Sequence, residues 1–239
     1  MTRAGAVIAI DGPSASGKSS TARAVAQALG FAHLDSGALY RGVTLVALRE
    51  AMRRGGDAHA GLLADGPEAI LRAAEERGLV LHPDGAGFAA YLEGDPVDDV
   101  IRLPEVTRRV SAVSADPQVR EWVNAHLREL VRVGRDVVVD GRDIGTIVFP
   151  QADLKVFLIA SPEVRARRRV MQRGEGASEA DIKREAALLA ARDQADSSRA
   201  VAPLRQADDA RLLDTSELTF EQQVDRIVGW AREALKAES

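Results

Sequence analysis

The chain has 239 residues, of which 46% are hydrophobic and 28% charged, and this favours one domain with a modest insertion. It contains no cysteine, which excludes disulfides, thiolate zinc sites and cysteine nucleophiles. The net charge of −4 argues against a nucleic-acid binder held by bulk electrostatics. No apolar run approaches the roughly 18 residues that a membrane span requires.

The first predicted element is a short apolar strand over residues 6–10, and it leads into a complete G-x-x-x-x-G-K-[ST] pattern. A helix over residues 19–29, closed by Gly30, follows the pattern. A strand, a glycine-rich loop and a helix in this order predict a phosphate site made by backbone N–H groups and a helix N-terminus. Lys18 is placed to reach the terminal phosphates, and the Ser19 hydroxyl is placed to hold Mg²⁺. The predicted ATP-binding residues are Gly12, Pro13, Ser14, Ala15, Ser16, Gly17, Lys18, Ser19 and Ser20.

A second strand over residues 31–35 ends in Asp-Ser-Gly, where a helix begins that runs to about Arg54. Residues 56–104 have a different character, with a helix and then two strand-like pieces at 78–82 and 88–92. The two pieces predict a hairpin. We interpret this stretch as a small α+β insert that carries no recognisable chemistry.

The remainder of the chain alternates helices with short apolar strands. Outside this insert, five short apolar strands, each followed by a helix, predict a doubly wound five-stranded parallel sheet with helices on both faces. Ligands bind such sheets at the carboxyl ends of the strands. The later strands are predicted at 136–140, 154–159 and 211–214, and the later helices at 104–114, after Pro117, from Pro162, from a capping box at Ser178, and at 219–236.

Polar side chains follow four of these strands, as a ligand site at that edge of the sheet requires. Arg41 lies one turn into a helix at this edge. A lone arginine is usually a solvated helix residue, but this position favours phosphate binding, because the guanidinium can donate two hydrogen bonds to phosphate oxygens. Arg142 and Asp143 follow a strand of three valines and form either a surface ion pair or part of the site, and their place favours the site. The four polar sets are Asp11-Gly12, Asp35-Ser36, Asp140 to Asp143, and Asp214-Thr215.

Five arginines lie between residues 165 and 173, and a Gly-Glu-Gly break follows them at 174–176. Helical spacing spreads them around the axis, so we expect some to be solvated or to pair with carboxylates. Arginines that close over a moving phosphoryl group stabilise its charge. The pattern predicts a helical lid at about residues 170–182, with Arg173, Arg184, Arg192 and Arg199 in or after it.

Four stretches of the chain form a recognisable set. They are residues 10–20, residues 34–41, residues 140–146 through Phe149-Pro150, and residues 192–199 through 202–204. The set resembles the bacterial cytidylate kinases within the nucleoside monophosphate kinases, and it spans nearly the whole chain. The resemblance implies Mg²⁺-dependent phosphoryl transfer from ATP to CMP or dCMP. It also implies a P-loop kinase core at 1–55 and 105–239, with residues 56–104 inserted in the acceptor-binding region.

The resemblance further implies roles for single residues. Cytosine carries an amino donor that suits Asp or Ser oxygens, and O2 and N3 acceptors that suit arginine. Arg41 and Arg142 would hold the acceptor phosphate, with Asp35 and Tyr40 in the same site; Ser36, Ser111, Arg120 and Asp143 would face the cytosine, and Asp196 with Arg199 the sugar and base edge. The catalytic set would be Lys18, Arg142, Arg173 and Arg192.

Two other functions stay open on the sequence. A P-loop GTPase-type switch would use Asn-Lys-x-Asp to bind guanine, and that sequence does not occur in the chain. A UMP kinase or a small-metabolite kinase would use the same scaffold with a different acceptor. We expect a cytoplasmic monomer that binds small-molecule nucleotides and neither nucleic acid nor membrane.

Overall fold

A computed structural model describes residues 5–55, 66–132, 134–172, 174 and 178–237. Contacts between Cα atoms divide the chain into two compact units. The first unit comprises Met1–Leu34 with Val131–Ser239, and the second unit comprises Asp35–Leu130. None of the described helices is long and apolar enough to cross a bilayer.

The described strands and helices follow the chain in this order. The strands are β1 (Val7–Asp11), β2 (Ala32–Asp35), β3 (Val80–Asp84), β4 (Gly87–Leu92), β5 (Asp95–Pro96), β6 (Val137–Gly141), β7 (Leu154–Ile159) and β8 (Arg211–Asp214). The helices are α1 (Lys18–Leu29), α2 (Ser36–Arg53), α3 (Pro67–Glu76), α4 (Pro104–Val113), α5 (Pro117–Arg132), α6 (Pro162–Gln172), α7 (Glu179–Ser197) and α8 (Phe220–Ala237). A 3₁₀ turn spans Val100–Arg102, and a π-helical turn spans Ile144–Val148.

Five strands lie side by side in the order β2-β6-β1-β7-β8. β1 pairs in parallel with β6 and with β7, and β7 pairs in parallel with β8. Every residue of β1 and β6 is buried, as expected for strands whose two faces are both covered by helices. The predicted α/β fold is confirmed, and the sheet is mostly rather than wholly parallel, because the further strands β3, β4 and β5 pair antiparallel.

One hydrophobic core fixes the sheet of the first unit against α1 and α8. The core includes Ile8, Ile10, Ala22, Val25, Val138, Val156, Leu158, Leu213, Ile227 and Ala231.

Two carboxylates fix the start of β1, because Asp136 accepts the N–H of Ala6 at 2.7 Å and Asp153 accepts the N–H of Val7 at 2.6 Å. The strand is therefore anchored at the edge of the sheet opposite to its carboxyl end.

The second unit contains the predicted hairpin. β3 pairs antiparallel with β4, and β4 pairs antiparallel with the short β5, which the sequence did not indicate. The first hairpin strand begins two residues later than predicted, because Gly78 and Leu79 form the turn that closes α3. Gly78 has a φ of +63°, and the N–H groups of Gly78 and Leu79 bond back to the carbonyls of Glu75 and Ala74.

The structure describes only part of the predicted lid at residues 170–182. Ser178 caps α7 by accepting the backbone N–H of Asp181, which confirms the capping box. Arg173 and residues 175–177 lie outside the described residues, as do residues 56–65 of the predicted insert. The lid and the 56–104 insert boundaries therefore stay predictions.

Two helical glycines differ in their surroundings and test the packing. A Cβ at Gly42 in α2 would lie 2.5 Å from Cδ1 of Leu79, whereas a Cβ at Gly229 in α8 would have no described atom within 4 Å apart from its chain neighbours and the backbone of its own helix. Gly229→Ala gains helix propensity and should raise the free energy of unfolding by up to about 1 kcal/mol. Gly42→Ala gains the same propensity but overpacks Leu79, which costs about 1–3 kcal/mol, so its net effect should be destabilising. Urea unfolding of both variants measures the difference, and equal stability would contradict the close contact of α2 with Leu79.

Candidate active site

The phosphate loop (residues 12–19) connects β1 to α1, and its backbone requires glycine at two places. Gly12 has a φ of +156° and Gly17 a φ of +92°. A Cβ at Gly12 would lie 2.1 Å from the carbonyl oxygen of Leu158. Its last two residues, Lys18 and Ser19, are the first two residues of α1, so the loop leads into a helix N-terminus, where phosphate binds favourably.

Ser14 in the phosphate loop is held by three charged side chains. Its backbone N–H donates to Asp193 at 2.9 Å, and its carbonyl accepts from Nη1 of Arg165 at 3.0 Å. Its hydroxyl accepts from Nη2 of Arg142 at 2.9 Å. Arg165 and Asp193 also pair with each other. The position of the loop therefore depends on α6, on α7 and on the segment after β6.

Arg168 supports the next part of the phosphate loop. Its Nη1 donates to the carbonyl of Ser16 at 3.2 Å, and its Nη2 donates to the carbonyl of Thr215 at 2.9 Å. Burial lowers the pKa of this guanidinium from its ordinary value. The hydroxyl of Ser16 is buried and has no hydrogen-bond partner among the described residues. A buried hydroxyl without a partner is costly, so this position fits a ligand oxygen.

Ser19 and Asp140 bring a hydroxyl and a carboxylate together. The Ser19 hydroxyl donates to Oδ2 of Asp140 at 2.5 Å, and Nε2 of His33 lies 2.8 Å from Oδ1. Burial opposes ionisation of Asp140, but the bonds to His33 and Ser19 and the charge of Lys18 hold its pKa below the ordinary value. An ionised carboxylate beside a hydroxyl is a donor set that Mg²⁺ accepts, since Mg²⁺ takes few protein ligands and completes its shell with water and phosphate.

Asp11 ends β1 and anchors the β6 loop (residues 142–145). Its two carboxylate oxygens accept the backbone N–H groups of Ile144 and Gly145, each at 2.8 Å. Burial raises the pKa of Asp11 to about 6, and the charge of Asp143 adds to the rise. The two backbone hydrogen bonds and Lys18 act in the opposite direction. This carboxyl therefore titrates much closer to neutral pH than an ordinary aspartate.

Asp196 on α7 joins two of the predicted arginines. It is 1% exposed, accepts from Nε of Arg142 at 3.0 Å, and pairs with Arg199. Asp193 lies one turn earlier on α7 and contacts the phosphate loop. The two carboxylates thus connect α7 to both the phosphate loop and the β6 loop.

Arg41 and Asp35 lie in the second unit and are engaged by its own groups. Nη1 of Arg41 donates to the hydroxyl of Thr107 at 2.8 Å. Asp35 caps α2 by accepting the N–H of Gly37 at 2.9 Å, and it pairs with Arg102 at 3.1 Å. Their predicted contacts with an acceptor stay predictions.

Arg120 and Tyr40 lie together in the second unit. Arg120 is 3% exposed, donates to the carbonyl of Ser114 at 3.0 Å, and has its guanidinium carbon 5.4 Å from the centre of the Tyr40 ring. Ser36 is buried at the start of α2, and Ser111 is half-buried on α4. The structure thus holds a buried guanidinium on an aromatic face in this unit, and the predicted contacts of both residues with the acceptor stay predictions.

The structure brings several predicted residues of the first unit together and adds others. Ser14, Arg142, Asp196 and Arg199 form one connected network with Asp193 and Arg165. Arg192 lies half-buried on α7, and Arg173 lies outside the described residues. Arg165 and Arg168 on α6 are three residues apart, as are Asp193 and Asp196 on α7, so each pair lies on one face of its helix. This spacing was the signal in the sequence that could have identified Arg165, Arg168 and Asp193. Asp11 and Asp140 were predicted only as members of the polar sets at the strand ends, without a role of their own. The residues that the sequence analysis did not place in the site are His33, Arg165, Arg168 and Asp193.

The fold and the site define a P-loop nucleotide-binding protein, because Lys18 and Ser19 open a helix after a buried strand and Asp140 ends the neighbouring strand. The cytidylate kinase family matches residues 8–233, and the chain belongs to that family. It is 44% identical to the cytidylate kinase of Nocardia farcinica over 92% of this chain and 91% of that protein. The identities are 44% to that of Streptomyces griseus subsp. griseus, over 95% and 92%, and 41% to that of Anoxybacillus flavithermus, over 92% and 93%. The resemblance found in the motifs is confirmed.

Asp11 should make the stability of the protein depend on pH. Its folded pKa of about 6 lies above the ordinary value of 3.8, so the folded protein binds this proton more tightly than the unfolded chain. The stabilisation is complete below about pH 3.8 and is lost as the pH rises through 6, a change of about 3 kcal/mol. Asp11→Asn should lack this term, so the unfolding free energies of wild type and variant should diverge between pH 4 and 7. Chemical unfolding at several pH values measures this, and parallel curves would contradict it.

Proposed function

We propose that the protein catalyses the Mg²⁺-dependent transfer of the γ-phosphoryl group of ATP to CMP or dCMP, which gives ADP and CDP or dCDP. The observation that carries this proposal is the phosphate loop, with the Ser19–Asp140 pair beside it, in a chain of the cytidylate kinase family. The named relatives are cytidylate kinases, and that activity is the one we extend to this protein.

The donor phosphates would lie in the phosphate loop. The Ser16 hydroxyl is buried there without a partner among the described residues, and Nζ of Lys18 lies 3.3 Å from the carbonyl of Pro13 within the same loop. Ser19 and Asp140 would hold Mg²⁺, which supplies positive charge to the donor phosphate oxygens when it is bound. Lys18 would then bridge donor and acceptor oxygens.

The donor base would occupy a cavity beside the phosphate loop. The cavity has a volume of about 570 Å³ and is lined by Arg168, Met171, Leu218 and Phe220 next to Gly17. Apolar side chains together with a guanidinium suit the faces of a flat aromatic base. We assign this cavity to the adenine of ATP, since its phosphates would then extend along the loop.

Phosphoryl transfer needs little covalent chemistry from this chain. The acceptor phosphate is already anionic, so positioning and charge stabilisation replace a strong general base. Arg142 is held by Asp196 and by Ser14, which fixes its guanidinium beside the phosphate loop. Arg142, Arg173 and Arg192 would stabilise the transferring group, and Asp143, Asp196 and Arg199 would contact the acceptor nucleoside, with Asp35, Ser36, Tyr40, Arg41, Ser111 and Arg120 in their predicted roles.

The remaining expectations extend this proposal. The net charge of −4 supports a protein that works on small nucleotides rather than on nucleic acid. We propose a cytoplasmic monomer with a lid at about residues 170–182 and an insert at residues 56–104.

The activity is tested by steady-state phosphorylation of CMP, dCMP, UMP, AMP and GMP with ATP and Mg²⁺. CMP and dCMP should give the highest kcat/KM. Lys18→Ala should lower kcat by two or more orders of magnitude, because it removes a charge that acts on the transferring group. Lys236→Ala, at an exposed site on α8, is the matched control. A preference for UMP or for another acceptor, or near-normal turnover in Lys18→Ala, would overturn the proposal.

The assignment of the donor base is tested at Phe220, which is 44% exposed at the cavity. Phe220→Ala should raise the KM for ATP about three- to tenfold, since stacking on an aromatic ring contributes about 0.5–1.5 kcal/mol. The KM for CMP should not change. Leu212→Ala on β8, which is also half exposed, should leave both constants unaltered. An unchanged KM for ATP in Phe220→Ala would place the base elsewhere.

A further inference from the structure

Asp11 lies at the junction of two loops. It is the last residue of β1, directly before the phosphate loop, and its neighbour across the strand pair is Gly141, directly before Arg142. Its carboxylate spans this junction, because one oxygen accepts the N–H of Ile144 and the other accepts the N–H of Gly145, each at 2.8 Å. β1, which leads into the phosphate loop, therefore also holds the β6 loop through Asp11.

The β6 loop is confined on its other sides. Two N–H groups of the following π-helical turn bond back to the carbonyl of Asp143, at 2.9 and 3.2 Å. A Cβ at Gly145 would lie 3.1 Å from the side chain of Lys155, whose ammonium is held by Asp209. Arg142 ties the β6 loop to the phosphate loop through its side chain, which donates to the hydroxyl of Ser14. The carboxylate of Asp11 ties the backbone of the same loop to the residue directly before the phosphate loop.

We propose that Asp11 is a positioning residue for phosphoryl transfer. Its carboxylate sets Arg142 and Asp143 at a fixed place relative to the donor's phosphate loop, and this inference rests on the proposed function of those two residues. A carboxylate is required, since it accepts hydrogen bonds at both oxygens. An amide of the same shape accepts at one end and presents N–H donors to the other backbone N–H.

The ionised form of Asp11 is retained although it costs stability. The carboxyl is 5% exposed, and its burial together with the nearby charge of Asp143 outweighs the two backbone hydrogen bonds and the charge of Lys18, which favour ionisation, so its pKa is raised. The ammonium of Lys155 is neutralised by Asp209. A buried group that lowers stability and sits between two ligand loops is the pattern that functional residues show.

The test compares Asp11→Asn with Asp153→Asn. Asp153 also accepts a backbone N–H, that of Val7, but at the opposite end of β1. Asp11→Asn should lower kcat/KM for CMP about tenfold or more, the effect of losing a hydrogen bond to a charged group. Binding of ATP alone, measured by calorimetry, should not weaken, and amide exchange of Ile144 and Gly145 should accelerate. Asp153→Asn should lose stability and keep its kcat/KM.

Three outcomes decide whether Asp11 is a positioning residue. A normal kcat/KM for CMP in Asp11→Asn, or an equal loss in Asp153→Asn, would reduce Asp11 to a structural role. If the wild type does not phosphorylate CMP, the proposed function fails, while the exchange rates of Ile144 and Gly145 still report on the anchor. If Asp11→Asn does not fold, Gly145→Ala crowds the loop where Asp11 holds it, because its Cβ would lie 3.1 Å from the side chain of Lys155 and 3.4 Å from Oδ2 of Asp11. That variant should show the same selective loss with CMP, and an unchanged kcat/KM would overturn the proposal.

Discussion

Charge buried at the carboxyl edge of the sheet is the constraint that organises the first unit. Asp11, Asp140 and Asp196 are 5%, 1% and 1% exposed, and a carboxylate taken out of water costs several kcal/mol unless other groups satisfy it. Each is satisfied by a different kind of partner: backbone N–H groups for Asp11, a hydroxyl and an imidazole for Asp140, and two arginines for Asp196. Because these partners include Ser19 of the phosphate loop and Arg142, Ile144 and Gly145 of the β6 loop, satisfying the charges also fixes the two loops.

The parts of the fold that local sequence determines were predicted well. Continuous apolar runs identified β1 and β6, because strands covered on both faces have no polar side to alternate with. The phosphate loop could be predicted from its glycines and from the helix that follows it. The start of β3 was misplaced by two residues, since the same apolar residues also serve as the end of α3, and only the backbone bonds of Gly78 and Leu79 decide between the two.

The supports of the site could not be predicted, because they join residues that are far apart in the chain. Asp193 reaches Ser14 across 179 positions, and Arg165 reaches it across 151. The arginines of α6 have the same side chain and nearly the same neighbours, yet Arg165 is buried on the loop while Arg167 is exposed beside Glu163. The helix face that packs inward decides which arginine has a role, and composition does not carry that information. The strand-end rule did point to Asp11 and Asp140, but it does not say which polar side chain binds a ligand and which one holds a loop.

The same charge pairs constrain how a phosphate can bind. Arg142 already has Asp196 on its Nε and Ser14 on its Nη2, so an acceptor phosphate would either use the remaining N–H groups or compete with Asp196 for the guanidinium. Competition lowers the net gain from the phosphate, because breaking a buried pair leaves Asp196 with a larger share of its desolvation cost. Arg199 limits that cost, since it pairs with the same carboxylate from the end of α7. The second arginine thus allows the first to change partners without leaving a buried carboxylate uncompensated, and this is a physical reason for Arg142, Asp196 and Arg199 to occur as a group of three.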